Sequence, residues 1–274
     1  DHQYRLSFPT RRSSDLVFDP LEFAFNHNWG YTNENCQTLN VWSQGINDGK
    51  KRPVMVWLHG GGFSAGSAIE LPSYEGENLS KKGDVVVVSI NHRLNVLGFL
   101  DLSSFGDKYK KSANVGMMDA VMALEWVKNN IANFGGDPNN VTIFGQSGGG
   151  AKVTTLMYAP SAKGLFHKAI NQSGSYRQSF LEQEDSKKIG EALLEVLGLK
   201  PNQVDSLQKI PYEKLNEASK KAIAKVQDQM KKDGKAFVGG GLGWGPVHDG
   251  DFLPYQQVDP AGLAISKDIP FMLG

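Results

Sequence analysis

The sequence predicts an α/β fold in which a mostly parallel central sheet is flanked by helices. Two continuous apolar runs, at residues 53–58 and 84–90, have the composition of strands that are buried on both faces. Between the second run and a third apolar segment at 141–144, residues 114–130 show the spacing of a helix with one apolar side. Strands that alternate with helices in this way are typical of parallel sheets with right-handed crossover connections.

Shorter segments complete the predicted sheet. Residues 38–42 alternate as a half-buried strand does, and the runs at 168–173 and 269–274 are also predicted to be strands. Residues 134–138 are predicted to form a turn ahead of the next strand. The predicted helix is expected to bury one broad side that consists of Met118, Val121, Met122, Leu124, Trp126 and Val127.

Two stretches differ in composition from the rest of the chain. Residues 177–235 are rich in Lys, Glu, Asp and Gln and carry helical patterns, which predicts a helical insertion or cap packed over the sheet. Residues 1–16 are basic, rich in Ser and Arg, and lack both periodicity and the apolar core of a signal peptide. We expect residues 1–16 to be a non-native or disordered leader, and residues 17–274 to form the domain.

Composition places the chain among globular proteins with a substantial core. Hydrophobic residues make up 40% of the 274 residues, and Lys plus Arg and Asp plus Glu number 29 each. The balanced charge gives no reason to expect a nucleic-acid partner, and no apolar run is long enough for a membrane span. Cys36 is the only cysteine, which excludes an internal disulfide. The compartment, a secreted or periplasmic one included, and the oligomeric state stay open.

The strongest chemical signal is the motif Gly-x-Ser-x-Gly at residues 145–149, which follows an apolar strand. This pattern is typical of a nucleophile elbow, where a strand turns sharply into a helix and holds a serine at the apex. The two glycines of the motif leave room for the close approach of strand and helix. Ser147 is therefore the predicted nucleophile, and the N–H group of Gly148 is expected to face a developing oxyanion.

A second glycine-rich motif, His59-Gly60-Gly61-Gly62, follows the apolar run at 53–58. Lipases and esterases use this form to donate oxyanion-hole N–H groups, because consecutive glycines let two amides reach one oxygen without obstruction by side chains. The motif precedes the serine motif in the chain, and each follows its own strand. Parallel strands would bring both motifs to the carboxyl edge of the sheet.

Together with other blocks of sequence, these motifs resemble the type-B carboxylesterases, a family that includes the cholinesterase-like α/β-hydrolases. The resemblance covers residues 33–274, with Gln146 standing where the family often has glutamate. Its markers are residues 34–41, 53–63, 91–94, 98–100, 114–150, 164–175 and 245–250.

The resemblance implies an α/β-hydrolase fold and a hydrolase of small-molecule carboxylic esters that works through an acyl-enzyme. Ser147 resembles the nucleophile of the family, and Gly61, Gly62 and Gly148 resemble its three oxyanion-hole amides. The resemblance implies neither a metal nor an organic cofactor.

The same resemblance implies that the catalytic acid and histidine follow the strand at 269–274. Both would lie beyond Gly274, so the chain is expected to be an N-terminal fragment, truncated at its carboxyl end and inactive alone. The only histidines after Ser147 are His167 and His248. Neither is expected to be the base, since His248 and the adjacent Asp249 would point to opposite sides of an extended chain.

Two other functions remain as alternatives. A cholinesterase-like binding or adhesion module without catalysis usually lacks the serine of the elbow, so the presence of Ser147 argues against it. An amidase or a peptidase on the same fold would use the same motifs.

Overall fold

The structure is a computed structural model of the 274-residue chain. It describes residues 35–174, 179–235 and 242–274, and it describes the short segments 4–7, 11–12 and 31–32 through their backbone alone.

The strands and helices are numbered in chain order. The strands are β1 (Tyr4–Ser7), β2 (Arg11–Arg12), β3 (Tyr31–Thr32), β4 (Leu39–Ser43), β5 (Arg52–Leu58), β6 (Val86–Ile90), β7 (Gly136–Gln146), β8 (Lys168–Gln172), β9 (Leu181–Glu182), β10 (Val247–His248) and β11 (Phe271–Leu273). The helices are α1 (Glu77–Gly83), α2 (Asn95–Phe99), α3 (Val115–Asn130), α4 (Gly148–Met157), α5 (Gln183–Val196), α6 (Tyr212–Lys232) and α7 (Pro260–Leu263).

A seven-stranded sheet in the order β1-β4-β6-β5-β7-β8-β11 organises the described part of the chain. All neighbours from β6 to β11 run parallel, whereas β4 is antiparallel to β6 and β1 is antiparallel to β4. The strands predicted from the apolar runs are confirmed as β5, β6, β8 and β11. The predicted fold class, a mostly parallel sheet flanked by helices, is therefore confirmed.

Strand β7 begins earlier than predicted. We expected a turn over residues 134–138, but the turn ends at Gly135, and β7 begins at Gly136. The register explains the difference, because Arg52 pairs with Gly136 while Val54 pairs with Val141. The extra residues of β7 form a bulge in an otherwise regular pairing, and a bulge leaves no mark in hydropathy.

Helix α3 is confirmed, and so is most of the buried side predicted for it. Val121, Leu124 and Val127 are buried as predicted. Met122 is the exception, since it is 60% exposed. The buried residues follow helical spacing, and Met122 lies about 200° around the helix from both Ala120 and Leu124. The apolar character of Met122 therefore misled the prediction at this one position of the buried face.

The stretch at 177–235 contains two long helices, as its pattern predicts. Helices α5 and α6 place Ile189, Leu193 and Ala222 in the main core. At the start of α6, Tyr212 Oη accepts a hydrogen bond from the Asn95 side chain at 2.9 Å, which links α6 to α2. The function of this stretch as an insertion or cap stays a prediction.

No helix in the described ranges is both long enough and apolar enough to cross a bilayer.

The amino-terminal stretch, which we expected to be a non-native or disordered leader, contributes one edge strand to the sheet. Tyr4–Ser7 pairs antiparallel with β4. The physical reason is that the free edge of a sheet offers unpaired N–H and C=O groups to any extended segment nearby. Residues 1–3, 8–10 and 13–16 lie outside the described residues, and a non-native origin for the leader stays a prediction.

Removal of residues 1–16 is expected to lower the thermal midpoint by less than about 3 °C, because an edge strand of four residues exchanges its backbone pairs for water at small net cost. Differential scanning calorimetry of the shortened and unshortened proteins measures the difference. A loss of 10 °C or more, the scale expected for several kcal/mol, would mean that this leader is an integral part of the domain.

Candidate active site

Ser147 occupies a strained turn between β7 and α4. Its backbone lies at φ 56° and ψ −121°, a left-handed conformation that costs a residue with a side chain about 1–3 kcal/mol. Two backbone hydrogen bonds hold this turn. Ser147 N donates to Gln172 O at 2.8 Å, and Ser147 O accepts from Ala151 N at 3.0 Å. The neighbouring strand β8 and the first turn of α4 thus fix the position of the serine, whose side chain is exposed.

The two motif glycines allow α4 to lie directly on the end of β5. A Cβ atom at Gly149 would lie 2.0 Å from Leu58 O, and one at Gly145 would lie 2.5 Å from the carbonyl carbon of Gly149. Both distances are shorter than any normal contact, and in each case the obstacle is backbone that cannot rotate away. The spacing Gly-x-Ser-x-Gly is therefore a packing requirement in this structure as well as a motif.

The glycine loop that follows β5 contacts the elbow. Gly61 and Gly62 have φ values of 82° and 62°, and Gly61 O accepts from Ser64 N and Ala65 N at 3.4 and 3.1 Å. A Cβ atom at Gly148 would lie 2.3 Å from Gly62 N, so the backbones of the two motifs are in direct contact.

The amide groups of this junction are left available. Gly61 N and Gly62 N donate to no backbone acceptor within the part of the chain that the structure describes. Gly148 is the first residue of α4, and the first N–H groups of a helix have no acceptor within the helix. The positive end of the α4 dipole adds to their preference for an anion.

A pocket of about 260 Å³ lies beside Ser147. Ser147, Gly148 and Gly62 all line it, so the structure brings three of the four predicted site residues together, while Gly61 lies one residue behind the lining. The other lining residues are Phe63, Ser64, Ala151, Thr154, Thr155, Gly174, Ser179, Phe180, Gly243, Trp244, Pro246 and Gln257.

None of the histidines in the described ranges lines this pocket. His167 Nδ1 accepts from Val141 N at 3.2 Å, in the middle of strand β7, which leads to Ser147. At about 3.3 Å per residue, that contact lies about 20 Å from the elbow. His248 is committed elsewhere, with its ring nitrogens 3.3 Å from Glu182 Oε2 and 3.2 Å from Pro254 O.

A buried basic cluster, which the sequence patterns did not predict, lies behind the glycine loop. Lys152 is fully buried on α4, and its Nζ donates to His59 O at 2.9 Å. The ring of His59 stacks on that of His92 with centroids 5.1 Å apart. The sequence contains one signal that could have revealed this cluster, which is a single charged residue among the small and apolar residues 148–153.

Burial controls the charge of this cluster. It lowers the pKa of Lys152 from 10.5 to about 7, although the charge of Glu70 opposes that change. Burial, followed by the charge of Lys152, holds the pKa of His59 and that of His92 well below 6.5. Both imidazoles are therefore neutral at pH 7.

The free energy of unfolding is expected to rise with pH through Lys152. Between pH 7 and 10.5 the unfolded chain holds a proton on this lysine that the folded chain has lost, so the contribution grows by up to about 1.4 kcal/mol per pH unit. This contribution of Lys152 to the free energy of unfolding is lost as the pH falls toward the folded-state pKa of about 7.

Urea unfolding of the protein and its Lys152→Met variant measures the contribution of Lys152, because the other titrating groups cancel in the difference between the two free energies of unfolding. Between pH 7.5 and 9 the difference is expected to move by about 2 kcal/mol in favour of the lysine. Parallel pH profiles would show that the pKa of Lys152 is not lowered.

Comparisons with known proteins show which family the chain belongs to. Residues 7–274 match the carboxylesterase family. The para-nitrobenzyl esterase of Bacillus subtilis is 40% identical over 241 residues, which are 88% of this chain and 46% of that esterase. A carboxylesterase structure from Geobacillus stearothermophilus aligns with a TM-score of 0.75 at 41% identity, covering 89% of this chain and 49% of that one.

A further structure extends the likeness over almost all of the chain. It is that of an esterase from anaerobic Clostridium hathewayi, described as able to hydrolyse aliphatic aromatic polyesters. It aligns with a TM-score of 0.79 at 42% identity and covers 98% of this chain and 52% of that one.

The chain belongs to the carboxylesterase family, which confirms the resemblance to type-B carboxylesterases and the α/β-hydrolase fold that it implies. It spans about half the length of these three relatives.

Proposed function

We propose that this chain supplies the nucleophile and the oxyanion hole of a serine carboxylesterase. One observation carries the proposal: Ser147 stands exposed at the head of α4 with φ 56°, where Gly148 and Gly62 meet beside a pocket. A strained serine at the junction of two glycine motifs has no structural purpose that an unstrained glycine would not serve better.

The reaction begins when Ser147 Oγ attacks the ester carbonyl carbon. Negative charge then develops on the carbonyl oxygen, and the N–H groups of Gly61, Gly62 and Gly148 stabilise it. The C–O bond to the alcohol then breaks, the departing oxygen takes up the proton that Ser147 lost, and water hydrolyses the acyl-enzyme that remains. A base must take the Ser147 proton, because a neutral hydroxyl is a weak nucleophile. The base and the acid that orients it stay predictions of the sequence resemblance.

We propose small-molecule carboxylic esters as the substrate class. The pocket is at the small end of the range for ligand sites, which extends from about 300 to 1,000 Å³. Phe63, Phe180 and Trp244 give it apolar walls, and Thr154 and Thr155 of α4 also line it. A short acyl group therefore fits this lining better than a long one.

A fluorophosphonate probe tests the proposal on the full gene product. The probe reacts only with an activated serine, and peptide mapping by mass spectrometry is expected to locate it on Ser147. The matched control is Ser173→Ala, since Ser173 also follows a strand and has a left-handed φ of 54°. This variant should keep the label, whereas Ser147→Ala should lose it. A label on any other residue would refute the assignment of the nucleophile.

A further inference from the structure

Lys152 carries a buried amine beside the proposed oxyanion hole. Its side chain is fully buried, and no carboxylate of the described residues lies within ion-pair distance of its Nζ. The recorded contacts of Nζ are the hydrogen bond to His59 O at 2.9 Å and the ring of Phe63 at 6.0 Å. Burying a lysine side chain without an ion-pair partner is costly, whether the amine keeps its proton or loses it, so the presence of Lys152 at this position requires an explanation.

The contact with His59 O ties the two halves of the site together. Lys152 lies five residues after Ser147 on the helix that begins at the elbow. His59 is the first residue of the glycine loop. One side chain therefore links the helix that carries the serine to the loop that carries two of the proposed oxyanion donors.

The first two carbonyl groups of the glycine loop are both in contact with side chains. His59 O accepts from Lys152, and Gly60 O lies 2.9 Å from His59 Nδ1. These two contacts restrict the orientation of the backbone where the loop leaves β5. The next residues, Gly61 and Gly62, have no side chains with which to fix themselves and have the widest backbone freedom of any residue.

We propose that Lys152 is a positioning residue for the oxyanion hole. By holding His59 O, it sets the direction from which the glycine loop leaves β5, so that the amides of Gly61 and Gly62 converge with that of Gly148. This inference rests on the proposed function. It predicts that loss of the amine weakens stabilisation of the transition state more than binding of the substrate.

The test compares two variants of the full gene product. Lys152→Met keeps a long buried chain and removes the donor, and it is expected to lower kcat for a p-nitrophenyl ester about 10- to 100-fold with KM changed less than about threefold. The matched control is Val153→Ala, because Val153 is the buried neighbour of Lys152 and loses two methyl groups to a cavity. This control is expected to lose stability and to keep its kcat.

Hydrogen exchange supplies a readout that does not depend on turnover. The amides of Ser64 and Ala65 both donate to Gly61 O and report the order of the loop. They are expected to exchange faster in Lys152→Met than in Val153→Ala. If the unsubstituted protein shows neither turnover nor labelling, the proposed function fails, and the exchange rates alone decide the positioning role. Equal exchange in the two variants overturns the inference, whatever the kcat of Lys152→Met.

Discussion

Replacement of Ser147 by alanine in the full gene product is expected to lower kcat for p-nitrophenyl acetate about 10⁵- to 10⁶-fold. The alanine variant keeps the pocket and the glycine amides but has no atom that can form an acyl-enzyme. A remnant of about 10³- to 10⁴-fold over the reaction in water is expected from the oxyanion hole and binding alone. Spectrophotometry of released p-nitrophenol, with and without a burst phase, measures both the loss and the remnant.

Ser147→Gly provides the matched comparison, because it removes the same oxygen and also relieves the backbone. At φ 56° a glycine is unstrained, so this variant is expected to be more stable than Ser147→Ala by about 1 kcal/mol while being equally inactive. A Ser147→Gly protein that is more stable and equally inactive would show that the backbone strain at Ser147 is maintained for function. A Ser147→Ala protein within 100-fold of the original kcat would place the nucleophile elsewhere.

The framework of the site could be predicted from sequence because it depends on strand ends. Buried apolar runs locate β5 and β7 along the chain, and the two glycine motifs follow those strands directly. Parallel strands bring such motifs to one edge of the sheet. The prediction that Ser147 and Gly62 lie close together therefore needs no knowledge of side-chain packing.

The features that could not be predicted from sequence depend on contacts between distant segments. The bulge at the start of β7 arises from its register against β5, which no single segment encodes. The exposure of Met122 depends on which side of α3 faces the sheet. In the sequence, Lys152 cannot be distinguished from a lysine at the surface. Its amine is buried where it can donate to His59 O, which belongs to a distant segment.

Gly149→Ala is expected to destabilise the fold more than either substitution of Ser147. The added Cβ atom would lie 2.0 Å from Leu58 O, so helix α4 would have to move away from the end of β5 by more than 1 Å. Overpacking of a core typically costs about 1–3 kcal/mol, and we place this case at or above the upper end because the obstacle is backbone. The thermal midpoint is expected to fall by about 10 °C or more.

Gly83→Ala is the matched control, because its added Cβ atom would meet nothing closer than 3.6 Å. It lies at the end of α1 and is expected to leave the thermal midpoint unchanged or slightly raised, since alanine favours helices more than glycine does. The movement of α4 in Gly149→Ala also carries Ser147 and Gly148 away from Gly62, so the kcat of the protein that remains folded is expected to fall as well. A Gly149→Ala protein that keeps both its midpoint and its kcat would mean that α4 and β5 do not pack in the direct contact from which the proposed oxyanion hole is built.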